Sequence, residues 1–404
     1  MSAELAGWLV GGGVALCLMA LFVVMLARGM DASRLKLSAS DTQAYVAALP
    51  ASPLNNLLKK HLLASPEASP DKEQTAKSAK KASGVVAGIV GTIVAVSIGA
   101  AIVSDIFEDR ASASATPIEL SAGGLHGTLL SPRRNAPVVL IVPGSGPTDR
   151  DGNSPAGLHT NAYRLLAEGL AAEGIASVRV DKRGMFGSAG AGDPNAVSVD
   201  IYANDYRTWI DAIRTETGRK CVWLLGHSEG ALMVSAAAEG RRDVCGLILV
   251  SGMGRKMGDV LRAQLSANPA NAPLLGQAFA ALDDLEAGRH TDTSNMHPAL
   301  LPLFAPQVQG FLISMLSTDP VDVLRKARVK TLIVQGTSDL QVNEDDARLL
   351  DKAPRTRMEI ISGMNHVLKR SPVDRAANLA TYSNPDLPLH PRVIREIEDF
   401  IKDD

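Results

Sequence analysis

The chain has 404 residues, more than one average domain needs and fewer than three. Its 41 basic and 43 acidic residues leave a formal net charge of −2, which gives no electrostatic ground for a nucleic-acid partner. Hydrophobic residues make up 46% of the chain, a share that suits a large core plus some membrane-embedded sequence, and the excess is unevenly placed.

No charged residue lies between Glu4 and Arg28, and none between Lys81 and Asp105. A helix crosses a hydrocarbon layer with about 20 apolar residues, so transmembrane helices are predicted over 1–27 and 82–104. The second stretch is rich in Gly, Ala and β-branched residues, a composition suited to close helix contact inside a membrane. It also follows Lys77, Lys80 and Lys81 and precedes Ala111-Ser112-Ala113-Ser114-Ala115, the pattern of a cleaved signal peptide. Its apolar core exceeds the roughly 7–15 residues usual there, so an uncleaved helix is expected. The intervening segment carries nine basic residues from Arg28 to Lys81, against five acidic ones, while the outer flanks are mainly acidic. Positive loops stay in the cytoplasm. Residues 28–81 are therefore expected to form a cytoplasmic loop, and everything after 104 to lie on the periplasmic or extracellular side of the cytoplasmic membrane. Residues 105–116 read as a linker.

From Pro117 onward, short apolar runs alternate with helical stretches. Ile118–Leu120 and Gly124–Leu130 predict a hairpin, and Pro137–Val142 a buried strand. A helix is predicted over Tyr163–Glu173, a strand over Ala176–Val180, and a helix over Ile201–Thr217. Strands follow at Val222–Leu225, Gly246–Val250, Lys330–Val334 and Met358–Ile361, then a last helix at Val393–Lys402. A hairpin followed by strand–helix alternation predicts an α/β architecture, a mostly parallel sheet covered on both faces.

The strand Val222–Leu225 stops at Gly226-His227-Ser228-Glu229-Gly230 and is followed by the helical run from Ala231 to Ala238. Strand, Gly-x-Ser-x-Gly, helix is the setting of a nucleophile elbow, where a strained turn exposes a serine hydroxyl. With this elbow and order of elements, residues 117–404 resemble the α/β-hydrolase superfamily. Pro143-Gly144-Ser145-Gly146-Pro147-Thr148-Asp149-Arg150-Asp151-Gly152-Asn153 resembles a motif of some bacterial carboxylesterases.

A serine hydroxyl needs a base, and the base an orienting acid. The superfamily's chain order is Ser, acid, His. Asp339 falls just past Leu332–Gln335, and His366 just past Ile360-Ile361, so Ser228, His366 and Asp339 are the expected triad. Asp345 and Asp346 are rivals for the acid, but they sit at an apparent helix start, where carboxylates are favoured anyway. The backbone N–H groups of Ser145 and Glu229 are the expected oxyanion donors.

Asp181-Lys182-Arg183-Gly184 resembles the superfamily's Asp-x-Arg-Gly turn. Arg183 is expected to pair with Asp149, Asp151 or Asp181, with binding of an anionic substrate group by Lys182 and Arg183 as the alternative. The largely helical, apolar stretch 258–326 occupies the place of the superfamily's lid, and Val367–Leu389 is a smaller insertion expected near the entrance. In this fold the strands beginning near Cys221 and Cys245 are neighbours, so the resemblance implies a Cys221–Cys245 disulfide if the domain is exported; two buried thiols are the alternative.

The expected function is thus a membrane-anchored serine hydrolase, most simply a carboxylic ester hydrolase acting on a small acyl-containing substrate. Aminopeptidase-like or thioesterase activity on the same machinery, and an inactive hydrolase fold used for binding, are the alternatives. No cofactor and no metal are implied.

Overall fold

The computed structural model describes residues 116–403. The two predicted membrane segments, the loop between them and nearly all of the 105–116 linker lie outside the described residues. Among the described residues no helix is long and apolar enough to cross a membrane.

The strands are β1 (Ile118–Ala122), β2 (Leu125–Leu130), β3 (Val138–Val142), the two-residue β4 (Asn153–Ser154) and β5 (Leu158–His159), β6 (Ala176–Val180), β7 (Val222–His227), β8 (Val244–Val250), β9 (Thr331–Gly336) and β10 (Thr356–Ile361). Eight of them form one sheet in the order β1-β2-β6-β3-β7-β8-β9-β10, and β4 and β5 pair separately. The β1–β2 and β2–β6 pairs are antiparallel, and every pair from β6 through β3, β7, β8 and β9 to β10 is parallel. The central strands are fully buried along their length, as Val138–Val142 and Val222–His227 show. Strands covered on both faces need near-continuous apolar runs, which is why these segments lack alternation.

The helices are α1 (Ala162–Ala172), α2 (Val199–Thr217), α3 (Glu229–Ala238), α4 (Met257–Ser266), α5 (Leu275–Glu286), the one-turn α6 (Leu301–Phe304), α7 (Pro306–Leu316), α8 (Pro320–Ala327), α9 (Glu344–Leu350), α10 (Arg375–Ala380) and α11 (Pro391–Lys402). Sequence chemistry sets their ends. Ser198 caps α2 by accepting from Ile201 N, and Gly218 closes it in the left-handed region. On one face of the sheet Trp209, Ile210 and Ile213 of α2 and Met233, Val234 and Ala237 of α3 pack against Leu140, Val178 and Leu224. On the other, Leu166 and Leu170 of α1 and Val393 and Ile397 of α11 pack against Val139, Ile141 and Ile248.

The insertion after β8 has a small core of its own, built on Leu282, Leu285, Leu300, Phe304, Leu312 and Leu316. The stretch expected to form the cap ran to 326, but Val321, Leu324 and Ala327 of α8 join the core under the sheet instead. The apolar stripe of α8 is buried by the main domain, so the cap's own core ends at Leu316.

Candidate active site

The sheet register places the elbow. Val142, the last residue of β3, lies beside Gly226 on β7, so the loops after both strands emerge together. Ser228 immediately precedes α3, at its N-cap, with φ +54° and ψ −120°, a conformation that L residues rarely adopt. The glycines around it are dictated by contact. A Cβ on Gly226 would sit 2.2 Å from the Gly230 carbonyl oxygen, and one on Gly230 would sit 2.7 Å from the Val142 and Pro143 carbonyl oxygens. The turn is held by Ser228 N donating to Val250 O at 2.9 Å and Ala231 N donating to Ser228 O at 3.0 Å.

Asp339 and His366 leave adjacent strand ends, since Ile361 on β10 lies beside Gly336 on β9. The Asp339 carboxylate is fully buried and meets His366 Nδ1 through both oxygens, at 2.9 and 3.1 Å. Asp339 Oδ1 also accepts from the backbone N–H of Gln341 and Val342. Burial pushes this carboxyl up, but the imidazole and the two backbone donors outweigh it and hold it below the usual carboxylate range. Among the described residues His366 makes no hydrogen bond to the Ser228 hydroxyl. The rival acids are committed elsewhere: Asp346 closes a capping box at the start of α9 and pairs with Arg255 at 2.7 Å, and Asp345 faces Arg348.

Gly144 sits against the elbow, where a Cβ would lie 3.1 Å from Ser228 Cβ. The Ser145 N–H that follows it, and the Glu229 N–H at the start of α3, donate to no acceptor among the described residues. Two unengaged N–H groups beside a serine that lines the chamber can donate to a developing negative charge.

Four residues shape this site without having been singled out for it. His227 is buried, with Nε2 2.7 Å from His366 O and Nδ1 2.8 Å from Tyr163 Oη. The carbonyl can only accept, so Nε2 carries the proton and Nδ1 accepts from the Tyr163 hydroxyl. Tyr163 Oη in turn accepts from Gly144 N at 3.1 Å. Burial, then the neighbouring His366, pull His227 down to about 3, so the ring is neutral. Asn365 donates to Asn378 and Thr381, and Asn378 donates to Ser338 O at 2.7 Å. The readable signal for His227 was its place as the last residue of a wholly buried strand. Tyr163 and Asn378 carried no such signal.

Arg183 pairs with Asp205 on α2, not with any of the three carboxylates expected from sequence. Those three serve other partners or turns: Asp181 binds Arg150, Asp151 binds Arg179, and Asp149 accepts from backbone N–H groups of its own turn. Val367–Leu389 contributes no wall to the chamber described next. It braces the loops carrying Asp339 and His366 from outside. Cys221 and Cys245 form a disulfide, their Cα atoms 5.2 Å apart, Cys221 just before β7 and Cys245 on the neighbouring strand β8.

Ser228, Ser145 and Glu229 open onto a chamber of about 580 Å³. Met253, Met257, Leu261, Leu303, Phe311 and Leu312 supply its apolar wall, much of it from the cap. Among the described residues Lys182 and Glu229 are its only charged lining residues, and they face one another at 3.7 Å. Among the described residues no group of three His, Cys, Asp or Glu side chains is placed to hold a metal ion.

The antiparallel hairpin, the parallel sheet, the elbow after β7 and the helical insertion after β8 together define the architecture. Its fold is that of the α/β hydrolases. Residues 156–294 match the family model described as serine aminopeptidase, S33. The chain is 24% identical over 268 residues to esterase EstD of Thermotoga maritima, an alignment covering 63% of this chain and 62% of that protein. Among solved structures, esterase Est1E of Butyrivibrio proteoclasticus, recorded with bound ferulic acid, is similar with a TM-score of 0.45 and 16% identity over 71% of this chain and 98% of that one. An esterase of Pyrococcus furiosus is similar with a TM-score of 0.45 and 15% identity, covering 72% and 91%. The chain is thus similar to carboxylesterase-like serine hydrolases.

Proposed function

We propose that this protein is a membrane-anchored serine hydrolase that cleaves carboxylic esters of small to medium apolar acyl groups. In this reading Ser228 Oγ attacks the ester carbonyl and His366 Nε2 takes its proton. The Nδ1–H, held by Asp339, keeps the imidazole in the tautomer that leaves Nε2 free. The Ser145 and Glu229 N–H groups hold the oxyanion. Collapse expels the alcohol, which leaves with the proton from His366, and water then repeats the sequence on the acyl-enzyme. The His366–Ser228 hydrogen bond is one that tightens on the way to proton transfer.

The observation that carries the ester reading is the chamber wall. An aminopeptidase must pair a substrate ammonium group, and a buried unpaired charge is costly. Among the described residues the single carboxylate lining the chamber, Glu229, already faces Lys182. Most of the remaining wall is apolar and suits an acyl chain, and its polar members, such as Asn195, Gln264 and Gln341, are uncharged. The name of the matching family model favours the peptidase alternative, and thioesters would use the same machinery.

Anchoring rests on the two charge-free stretches in 1–104, and the outward orientation on the basic residues between them. The Cys221–Cys245 disulfide supports the same orientation, because such bonds persist in oxidising compartments.

Incubation with a fluorophosphonate probe tests the central claim: the wild type should be labelled and Ser228→Ala should not. Labelling that survives Ser228→Ala would remove Ser228 from the mechanism, and no labelling of the wild type would favour an inactive binding fold. A series of p-nitrophenyl esters run beside aminoacyl p-nitroanilides decides between ester and peptide; turnover of anilides alone would overturn the ester reading. An alkaline phosphatase fusion at Asp404 should be active, and an inactive fusion would reverse the topology.

A further inference from the structure

Lys182 is only 3% exposed, although an ammonium group is strongly hydrated and costly to bury. It stands two residues past the end of β6, next to β3 in the sheet, so its loop runs beside the Gly144 loop. Its Nζ donates to Gly144 O at 2.7 Å and lies 3.7 Å from Glu229 Oε1. The Tyr202 ring centroid is 6.0 Å away. Nothing in the acyl-transfer steps above uses this cation.

Its two contacts belong to the two residues bracketing the oxyanion position. The Gly144 carbonyl and the Ser145 N–H are parts of one peptide unit, planar and conjugated. A cation at the carbonyl oxygen draws charge through that amide and makes its N–H a stronger donor. It also fixes the plane of the unit, whose preceding amide is held by Tyr163. On the other side, Glu229 is the first residue of α3, and its own N–H is the second donor. Holding its carboxylate restrains the residue that presents this N–H.

We infer that Lys182 is a positioning residue of the oxyanion site, its ammonium group tying the Gly144–Ser145 peptide to Glu229 so that both N–H donors converge on one point. This rests on the serine hydrolase reading above. It replaces the idea that Lys182 recognises an anionic substrate group, since its charge already faces Glu229.

The test compares wild type with Lys182→Met, which keeps the stem and removes the charge and both contacts. Each variant is measured with the wild type's best p-nitrophenyl ester and with a trifluoromethyl ketone that forms a tetrahedral adduct on the serine. Removing one oxyanion donor outright costs about 10²–10³ in kcat, so misplacing both should lower kcat by at least about tenfold. KM should stay within about threefold, and ketone affinity should fall in parallel with kcat. A folded Lys182→Met whose kcat stays within about twofold, or whose loss lies in KM alone, overturns the inference. Should Lys182→Met not fold, Lys182→Met/Glu229→Gln, which buries no unpaired charge, is judged by the same criteria. Failure of the enzyme reading itself shows differently, as a wild type that neither turns over esters nor binds the ketone.

Discussion

His227 turns a hydrogen-bond arrangement into a measurable pH dependence. Its ring is buried and neutral, held between the Tyr163 hydroxyl and the His366 carbonyl. Burial sets its folded value at about 3, against 6.5 for the free side chain. Between those values the unfolded chain binds a proton that the native chain does not. Stability therefore rises with pH across the window and falls as the medium is acidified. One pKa unit corresponds to ~1.4 kcal/mol. The loss should reach about 2 kcal/mol on going from near-neutral pH to pH 5, and about 4 kcal/mol by pH 3. Asp339 adds a loss of the same sign only at lower pH, since its folded value is held below the ordinary carboxylate range. Urea unfolding at pH 7 and pH 5 isolates the histidine term when wild type is compared with His227→Gln, which keeps a donor and an acceptor but does not titrate. The wild type should lose about 2 kcal/mol more than the variant over this interval. Parallel losses in the two proteins would refute the buried neutral histidine.

Three further outcomes follow from contacts described above. Gly226→Ala places a methyl group 2.2 Å from the Gly230 carbonyl oxygen, so the elbow must open; we expect at least about 3 kcal/mol of lost stability and no fluorophosphonate labelling, and a stable, labelled variant would refute the crossing. Asp346→Ala removes the buried carboxylate shared by the Arg255 guanidinium and the Gly254, Arg255 and Asn343 N–H groups and should cost about 3–5 kcal/mol by urea unfolding, while the folded protein keeps its kcat because in the proposed triad Asp339 supplies the acid; an Asp346 variant that is stable but inactive would exchange their roles. Reducing the Cys221–Cys245 bond, which closes a separation of 24 residues, should lower stability by about 3 kcal/mol, seen as a drop in Tm with dithiothreitol that is absent in Cys221→Ala/Cys245→Ala.

How much of this was legible in the sequence depends on how local the signal is. The strands carrying Ser228, Asp339 and His366 announce themselves as apolar runs ending at small or polar residues, and each residue sits one short turn past such a run. Periodicity also located the helices, with boundaries within a few residues; α2 begins at Val199 instead of Ile201 because Ser198 caps it. Partnerships across the fold were not legible. Arg183 meets Asp205 because α2 brings that carboxylate alongside, whereas Asp149, Asp151 and Asp181 are committed to other partners or to their own turn. The extent of the cap was misjudged for a related reason: the apolar stripe of α8 looks the same whether the cap or the main domain buries it. Tyr163 reads as an ordinary core aromatic until the fold places its hydroxyl between Gly144 and His227.

The link from Asn365 through Asn378 to Ser338 has a consequence for anyone exchanging parts between related proteins. The residue before His366 and the residue before Asp339 are fastened to the same short helix, α10. A graft that brings in a foreign segment after β10 but omits Arg375–Ala380 would import the base without the brace that sets its distance from the acid. The transferable module is the β9 loop, the β10 loop and α10 together, and a crossover between them should yield soluble chimeras with a misaligned imidazole.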